Sequence, residues 1–177
     1  PSVFHNSDRA ETSPFVFSVV YLLTSWFSPY NSGGFRSRVW FMDKINVGII
    51  GCGAIAQVQH MPNFHELQHL YEVTWTCDVS AGLAKYLADR FAVPNHTADY
   101  REVIGASDVD AVLLCHRDPK TEIAVASLNA GKHMFIEKPM CFSNEEALAI
   151  HEAGKKAGTV SQVGYMKVYD PAFELVY

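Results

Sequence analysis

The sequence predicts an α/β fold, a doubly wound parallel sheet with helices on both faces, and three observations predict it. From Lys44 onward, short apolar runs alternate with helix-like stretches, the pattern of parallel strands joined by crossover helices. The first run, Ile45 to Ile50, breaks into Gly51-Cys52-Gly53-Ala54-Ile55-Ala56, a tight turn that resumes as a helix. An acid, Asp78, then closes the second apolar run, about 20 residues past that turn, where units of this kind place a carboxylate. Residues 42–165 are assigned to this domain.

Ile45–Ile50 is the first strand. In the turn behind it, Gly51 permits the sharp bend, Gly53 leaves room for a pyrophosphate to approach the backbone, and small Ala56 lets the new helix lie against the sheet. A phosphate would rest on N–H groups of the helix N-terminus, so Gly51, Gly53, Ala54, Ile55 and Ala56 are candidate cofactor contacts. The first helix is expected from Ala54 to about Leu67, with Pro62 marking a kink or an early end. Glu72 to Cys77 is the second strand, Ala81 to Phe91 the second helix and Tyr100 to Ile104 a short third. Asp110 to Cys115 reads as a buried strand. Asp118 and Pro119 then offer an N-cap and a first-turn proline for a helix running to about Ala130, where Gly131 stops it. His133 to Ile136 is the next strand. Ser143-Asn-Glu-Glu146 is a capping box opening a helix to about Ala157, and Thr159 to Tyr165 is a last strand.

Asp78 is placed to accept hydrogen bonds from the adenosine ribose hydroxyls. Its carboxylate would repel a 2′-phosphate, and no arginine follows in Val79-Ser80-Ala81, so NAD is favoured over NADP. Two readings compete for these residues. An exposed aspartate at a strand end can simply cap the next helix, and S-adenosylmethionine-dependent methyltransferases also use a glycine-rich first turn and an acid after the second strand.

The deciding stretch is Ala130-Gly-Lys-His-Met-Phe-Ile-Glu-Lys-Pro139, in which Glu137-Lys138-Pro139 directly follows a strand of the sheet. Taken with the glycine turn, Asp78, the Asp110-Ala-Val strand, Val163-Gly-Tyr and Asp170-Pro-Ala172, it makes residues 44–177 resemble the glucose–fructose oxidoreductase/inositol dehydrogenase (Gfo/Idh/MocA) family. The resemblance implies the N-terminal Rossmann domain of an NAD-dependent oxidoreductase that moves hydride between nicotinamide and a sugar- or polyol-type alcohol. It also implies that Lys138 is catalytic, standing beside the nicotinamide and reaching a substrate hydroxyl. Pro139 would shape the turn, a cis peptide being one way to do so, and Glu137 would hold the lysine or steady the turn. The chemistry agrees, because an ammonium beside a cationic ring is pushed to release its proton and can orient an alcohol while relaying one.

Two departures from the family pattern stand out. Where relatives read Thr-Pro-Asn-x-x-His after the fourth strand, this chain has Cys115-His116-Arg117-Asp118-Pro119-Lys120, so the loop over the cofactor differs in chemistry. Cys115 and His116 are its candidate cofactor contacts, although a loop histidine in solvent is the simpler expectation for His116. Lys167-Val168 stands where many relatives carry a basic pair. In the family, a second α/β domain supplies most of the substrate pocket, an Asp-x-x-x-His acid–base pair and often the oligomer interface. Residues 166–177 are expected to be only the start of that domain. Catalysis by this chain alone is therefore not expected, since hydride transfer needs the alcohol held against the ring. The full-length protein is expected to be a homo-oligomer. A non-catalytic dinucleotide-binding or sensor module is the alternative.

Composition bounds the remaining possibilities. A hydrophobic content of 49% with 19% charged residues is ordinary for a globular chain of 177 residues,. The net charge of −5 argues against nucleic acid or an anionic membrane as the main partner, since both need a basic face. The cysteines, Cys52, Cys77, Cys115 and Cys141, form no C-x-x-C pair and are read as reduced thiols in the cytoplasm. Residues 1–41 are an atypical N-terminal extension, expected to be poorly ordered, with Met42 the expected natural start. Its apolar run from Phe15 to Phe27 is shorter than the roughly 20 residues needed to cross a bilayer. A targeting segment is the alternative there, but the leading acids and the missing cleavage site speak against it. His65-Glu-Leu-Gln-His69 matches the H-E-x-x-H zinc pattern, yet it falls at the end of the first helix past Pro62, and no metal is expected. Asn95-His-Thr97 fits a glycosylation sequon, of consequence only if the chain is secreted.

Overall fold

All strand pairings of the sheet are parallel, and each strand is followed by a connection that returns the chain to the same end of the next. The computed structural model describes residues 44–117 and 119–166. The expectations for residues 1–41, Met42, Asp118, Lys167-Val168 and Asp170-Pro-Ala172 lie outside the described residues. The unit that carries the fold ends at Gly164.

Six strands build the sheet: β1 (Ile45–Ile50), β2 (Tyr71–Cys77), β3 (Asn95–Thr97), β4 (Ala111–Leu114), β5 (His133–Ile136) and β6 (Ser161–Val163). Their spatial order is β3-β2-β1-β4-β5-β6, the doubly wound order in which the connections reverse direction between β1 and β4. Between them run α1 (Met61–Glu66), α2 (Ala81–Phe91), α3 (Tyr100–Gly105), α4 (Thr121–Asn129) and α5 (Asn144–Ala157). Strand β4 is buried along its whole length, as expected of a central strand covered on both faces.

Alternation along the strands divides the core between those two faces. Ile50, Cys77, Leu114 and Ile136 pack with Val103 of α3, Ala124 and Leu128 of α4, and Ile150 and Ala153 of α5. Gly48 lies on this face, where a Cβ would stand 2.4 Å from a Val103 methyl, so the missing side chain is what lets α3 sit against the sheet. On the other face lie Ile49 and its register partners Thr76 and Leu113. There the Thr76 hydroxyl donates to the Ala84 carbonyl of α2 at 3.0 Å, and the Phe135 ring meets the His60 ring edge-on at 6.0 Å. Each large side chain so buried contributes about 1.5–3 kcal/mol by leaving water.

Most elements fall where the periodicity puts them, and the exceptions have local causes. The first helix does not end at Pro62. A π-helical stretch, Ala56–His60, precedes α1 instead, with the Met61 N–H reaching back to the Ala56 carbonyl. A proline has no N–H to give and crowds the carbonyl four residues back, and the wide turn just upstream accommodates both. Helix α4 starts at Thr121 with Lys120 as its N-cap residue, so Pro119 precedes the helix and does not open it. The last strand is shorter than expected, Ser161–Val163. Strand β3 coincides with the sequon, and the Asn95 side-chain amide donates to the Thr74 carbonyl at 3.1 Å. The capping box at Ser143 forms as read, with Glu146 completing it.

Candidate functional site

The reversal between β1 and β4 opens a crevice at the carboxyl ends of the strands, and the candidate residues converge on it. Gly51 leaves β1 with φ of 98°, a left-handed conformation that favours glycine. Its N–H donates to the Cys77 carbonyl at 2.7 Å. A Cβ on Gly51 would lie 2.5 Å from the His116 backbone nitrogen, so the loop after β4 is packed directly onto the turn. Gly53 is different: nothing stands within 4 Å of the place a Cβ would take, and Gly53, Ala54 and Ile55 are all exposed. This is an open cradle at the start of a helix, where first-turn N–H groups have no intrahelical acceptor. Ala56 is fully buried beneath it, in the packing role its size suggests.

Asp78 ties that cradle to the second strand. One carboxylate oxygen accepts the Cys52 N–H at 2.8 Å and the other accepts the Ser80 N–H at 2.9 Å. Each oxygen retains acceptor capacity, so the carboxylate is fixed in place and still able to take a hydroxyl donor. The capping reading is not what the geometry shows, because the N-cap of α2 is Ser80, whose hydroxyl accepts from Leu83 N–H. A second brace comes from Gln57, whose side-chain amide donates to the Cys52 carbonyl at 2.8 Å.

The cysteines near the turn are packing groups. Burial, then the Asp78 carboxylate, pushes the Cys52 thiol up to about 12, and the same two causes in the same order raise Cys77 to about 12. Burial raises Cys115 as well, with Glu137 adding to it. A thiol with so high a pKa carries almost no thiolate near neutrality and is a poor nucleophile.

At the end of β5 the chain turns through Glu137-Lys138-Pro139 with a cis peptide between Lys138 and Pro139. Glu137 is buried and Lys138 is exposed, so consecutive residues face opposite ways, one into the fold and one towards solvent. The Glu137 carboxylate is held on both oxygens. Its Oε1 lies 2.9 Å from His60 Nε2, and its Oε2 accepts the Lys138 N–H at 3.2 Å. Gly164 backs it, since a Cβ there would come within 3.0 Å of the Phe135 ring and 3.6 Å of Glu137 Oε2. Lys120, only 2% exposed, donates to the Glu137 carbonyl and to the Pro139 carbonyl at 2.9 Å. Burial lowers the Lys120 pKa, and the Glu137 carboxylate works against that shift.

The structure therefore brings together the turn, Asp78, Cys115 and His116 around the crevice. Glu137 and Lys138 lie at the end of β5, which pairs with β4 and so ends about 10 Å from β1. His116 is half-buried, its ring nitrogens shielded from water, which corrects the expectation of a solvent-facing loop histidine. His65 and His69 do not share a helical face, because α1 ends at Glu66. Sequence reasoning missed His60 and Lys120 as parts of the site. For His60 a signal existed: Ala56, His60 and Phe64 recur every fourth residue and all three are buried. For Lys120 the signal was its place in the Cys115–Lys120 loop, where the family pattern ends in a histidine.

Comparison with known proteins agrees with this geometry. The family model described as the oxidoreductase family, NAD-binding Rossmann fold, matches residues 45–165. The chain is 37% identical over 132 residues to inositol 2-dehydrogenase/D-chiro-inositol 3-dehydrogenase of Shouchella clausii, covering 73% of this chain and 38% of that protein. Levoglucosan dehydrogenase, solved with NADH and L-sorbose, superposes with a TM-score of 0.63 at 30% identity, over 68% of this chain and 34% of its own. KijD10, a 3-ketoreductase from Actinomadura kijaniata solved with NADP, superposes with a TM-score of 0.69 at 28% identity, over 76% of this chain and 42% of its own. The chain thus spans about two fifths of the length of such relatives. Through this match to its NAD-binding Rossmann fold, the chain belongs to the Gfo/Idh/MocA family of oxidoreductases.

Proposed function

We propose that this chain is the dinucleotide-binding part of an NAD-dependent oxidoreductase that transfers hydride between nicotinamide and a sugar- or polyol-type alcohol. The observation that carries the reading is the split at the end of β5, with Glu137 locked inside the fold and Lys138 presented on the same edge as the open glycine cradle. Residues 166–177 begin the further domain that completes the substrate pocket, and the full-length protein assembles as a homo-oligomer. Four unpaired cysteines suit a reducing compartment, and the cytoplasm is the reading we adopt.

The residues present fit the cofactor. The N–H groups over Gly53, Ala54 and Ile55 would hold the pyrophosphate, and the fixed Asp78 carboxylate would accept from the adenosine ribose hydroxyls. That carboxylate favours NAD, because a 2′-phosphate would bring a second negative charge against it. Cys115 and His116 would wall the crevice. When bound, the nicotinamide supplies the hydride acceptor. Lys138 would hold the alcohol oxygen by donating a hydrogen bond and then take part in moving its proton. Glu137 would keep the lysine backbone in place through Oε2. The similarity to inositol and levoglucosan dehydrogenases supports a polyhydroxylated substrate.

The test is a Lys138→Ala variant of the full-length protein, assayed for NADH formation on a panel of inositols and sugars. NAD affinity should be retained while kcat falls by about 10²-fold or more, the range for removing a general acid–base group. Unchanged turnover would remove Lys138 from the mechanism.

A further inference from the structure

We propose that Lys120 is a positioning residue for Lys138, gripping the backbone on both sides of it and so fixing where the Lys138 amine stands against the nicotinamide. The proposal rests on the cofactor reading above and goes beyond it. The Lys120 ammonium is buried and bonds the carbonyl of Glu137, immediately before Lys138, and that of Pro139, immediately after it. Few contacts define a residue's backbone as tightly as one donor clasping both neighbours. From the other side, His60 holds the Glu137 carboxylate, whose second oxygen takes the Lys138 N–H itself. The turn is thereby held by α4's N-cap residue and by the π-helical stretch, two elements from opposite parts of the sheet.

The cost of this arrangement argues for a purpose. A buried ammonium is disfavoured, and its pKa is lowered by that burial, with the Lys138 charge close enough to add to the effect. Carbonyls at a surface turn can be satisfied by water at less expense. Placing a lysine there trades stability for a turn that does not move, and a proton-relaying amine must be held to within a fraction of an ångström.

The test reads Lys138 placement without requiring turnover. An ammonium beside the ring favours uncharged reduced nicotinamide over its cationic oxidised form, so the ratio of NADH to NAD affinity reports how close Lys138 stands. That ratio is measured by fluorescence and calorimetric titration of the wild-type chain, Lys120→Met, Lys138→Met and the double variant. Lys120→Met should cut the ratio about fivefold in the wild-type background and leave it unchanged, within about 1.5-fold, in the Lys138→Met background. An equal loss in both backgrounds would show Lys120 acting by its own charge and would overturn the proposal. So would a wild-type ratio in Lys120→Met. If Lys120→Met does not fold, Lys120→Gln, which keeps a donor for one carbonyl, enters the same cycle with an intermediate loss expected and a wild-type ratio contradicting. A wild-type chain that binds neither NADH nor NAD overturns the cofactor reading, and this inference with it.

Discussion

Two glycines two residues apart do different work, and their difference is measurable. Gly51 is needed by the fold, with φ of 98° and a Cβ position 2.5 Å from the His116 nitrogen. Gly53 is not, since its Cβ position is empty. Gly51→Ala should therefore cost on the order of 3 kcal/mol in denaturant melts through strain and collision. Gly53→Ala should change stability by less than about 0.5 kcal/mol, yet weaken NAD at least about tenfold by filling the space a pyrophosphate needs. Equal effects of the two substitutions on both measurements would refute the division of labour. At this scale the glycine turn and Asp78 were legible because each has a local spacing with a mechanical reason, and Glu137-Lys138-Pro139 through its match to a family pattern. The pairing of His60 and Lys120 with Glu137 was not, because that partner lies 77 and 17 residues away in sequence and only folding brings them together.

Among the elements, boundaries set by caps were readable and those set by tertiary packing were not. Helix α5 begins at Asn144 because Ser143 and Glu146 satisfy its first N–H groups, chemistry carried within four residues. The π-helical stretch has no such signature. Its wide turn follows from Pro62 and from the need to lay His60 against Phe135 and Glu137. Strand β3 is three residues of edge strand, Asn95–Thr97, too short and too polar to show alternation. The joint between the π-helical stretch and β5 gives the prediction at this scale. His60→Leu leaves Glu137 Oε1 buried without its partner, and should destabilise the chain by about 3 kcal/mol in urea melts. A change below about 0.5 kcal/mol would mean that the contact carries no weight in the fold.

For the whole molecule, the strand order β3-β2-β1-β4-β5-β6 decides where function can sit. Connections leave β1 and β4 towards opposite faces, and the crevice between them collects the cradle, Asp78, the loop at Cys115-His116 and, one strand further, Lys138. The alternation of strand and helix announced that architecture, and the glycine turn marked the strand ends where the candidate site is proposed. No helix among the described residues is long and apolar enough to cross a membrane. The substrate-choosing groups were not legible in a sequence that spans about two fifths of the length of its relatives. The crevice is proposed to hold a nicotinamide dinucleotide, with the Asp78 carboxylate selecting NAD. Calorimetric titration of the chain with NAD, NADP and S-adenosylmethionine decides between these ligands. NAD should bind tightest, NADP at least about tenfold more weakly through charge repulsion at Asp78, and S-adenosylmethionine not measurably. Tightest binding of S-adenosylmethionine, or NADP binding as well as NAD, would contradict it.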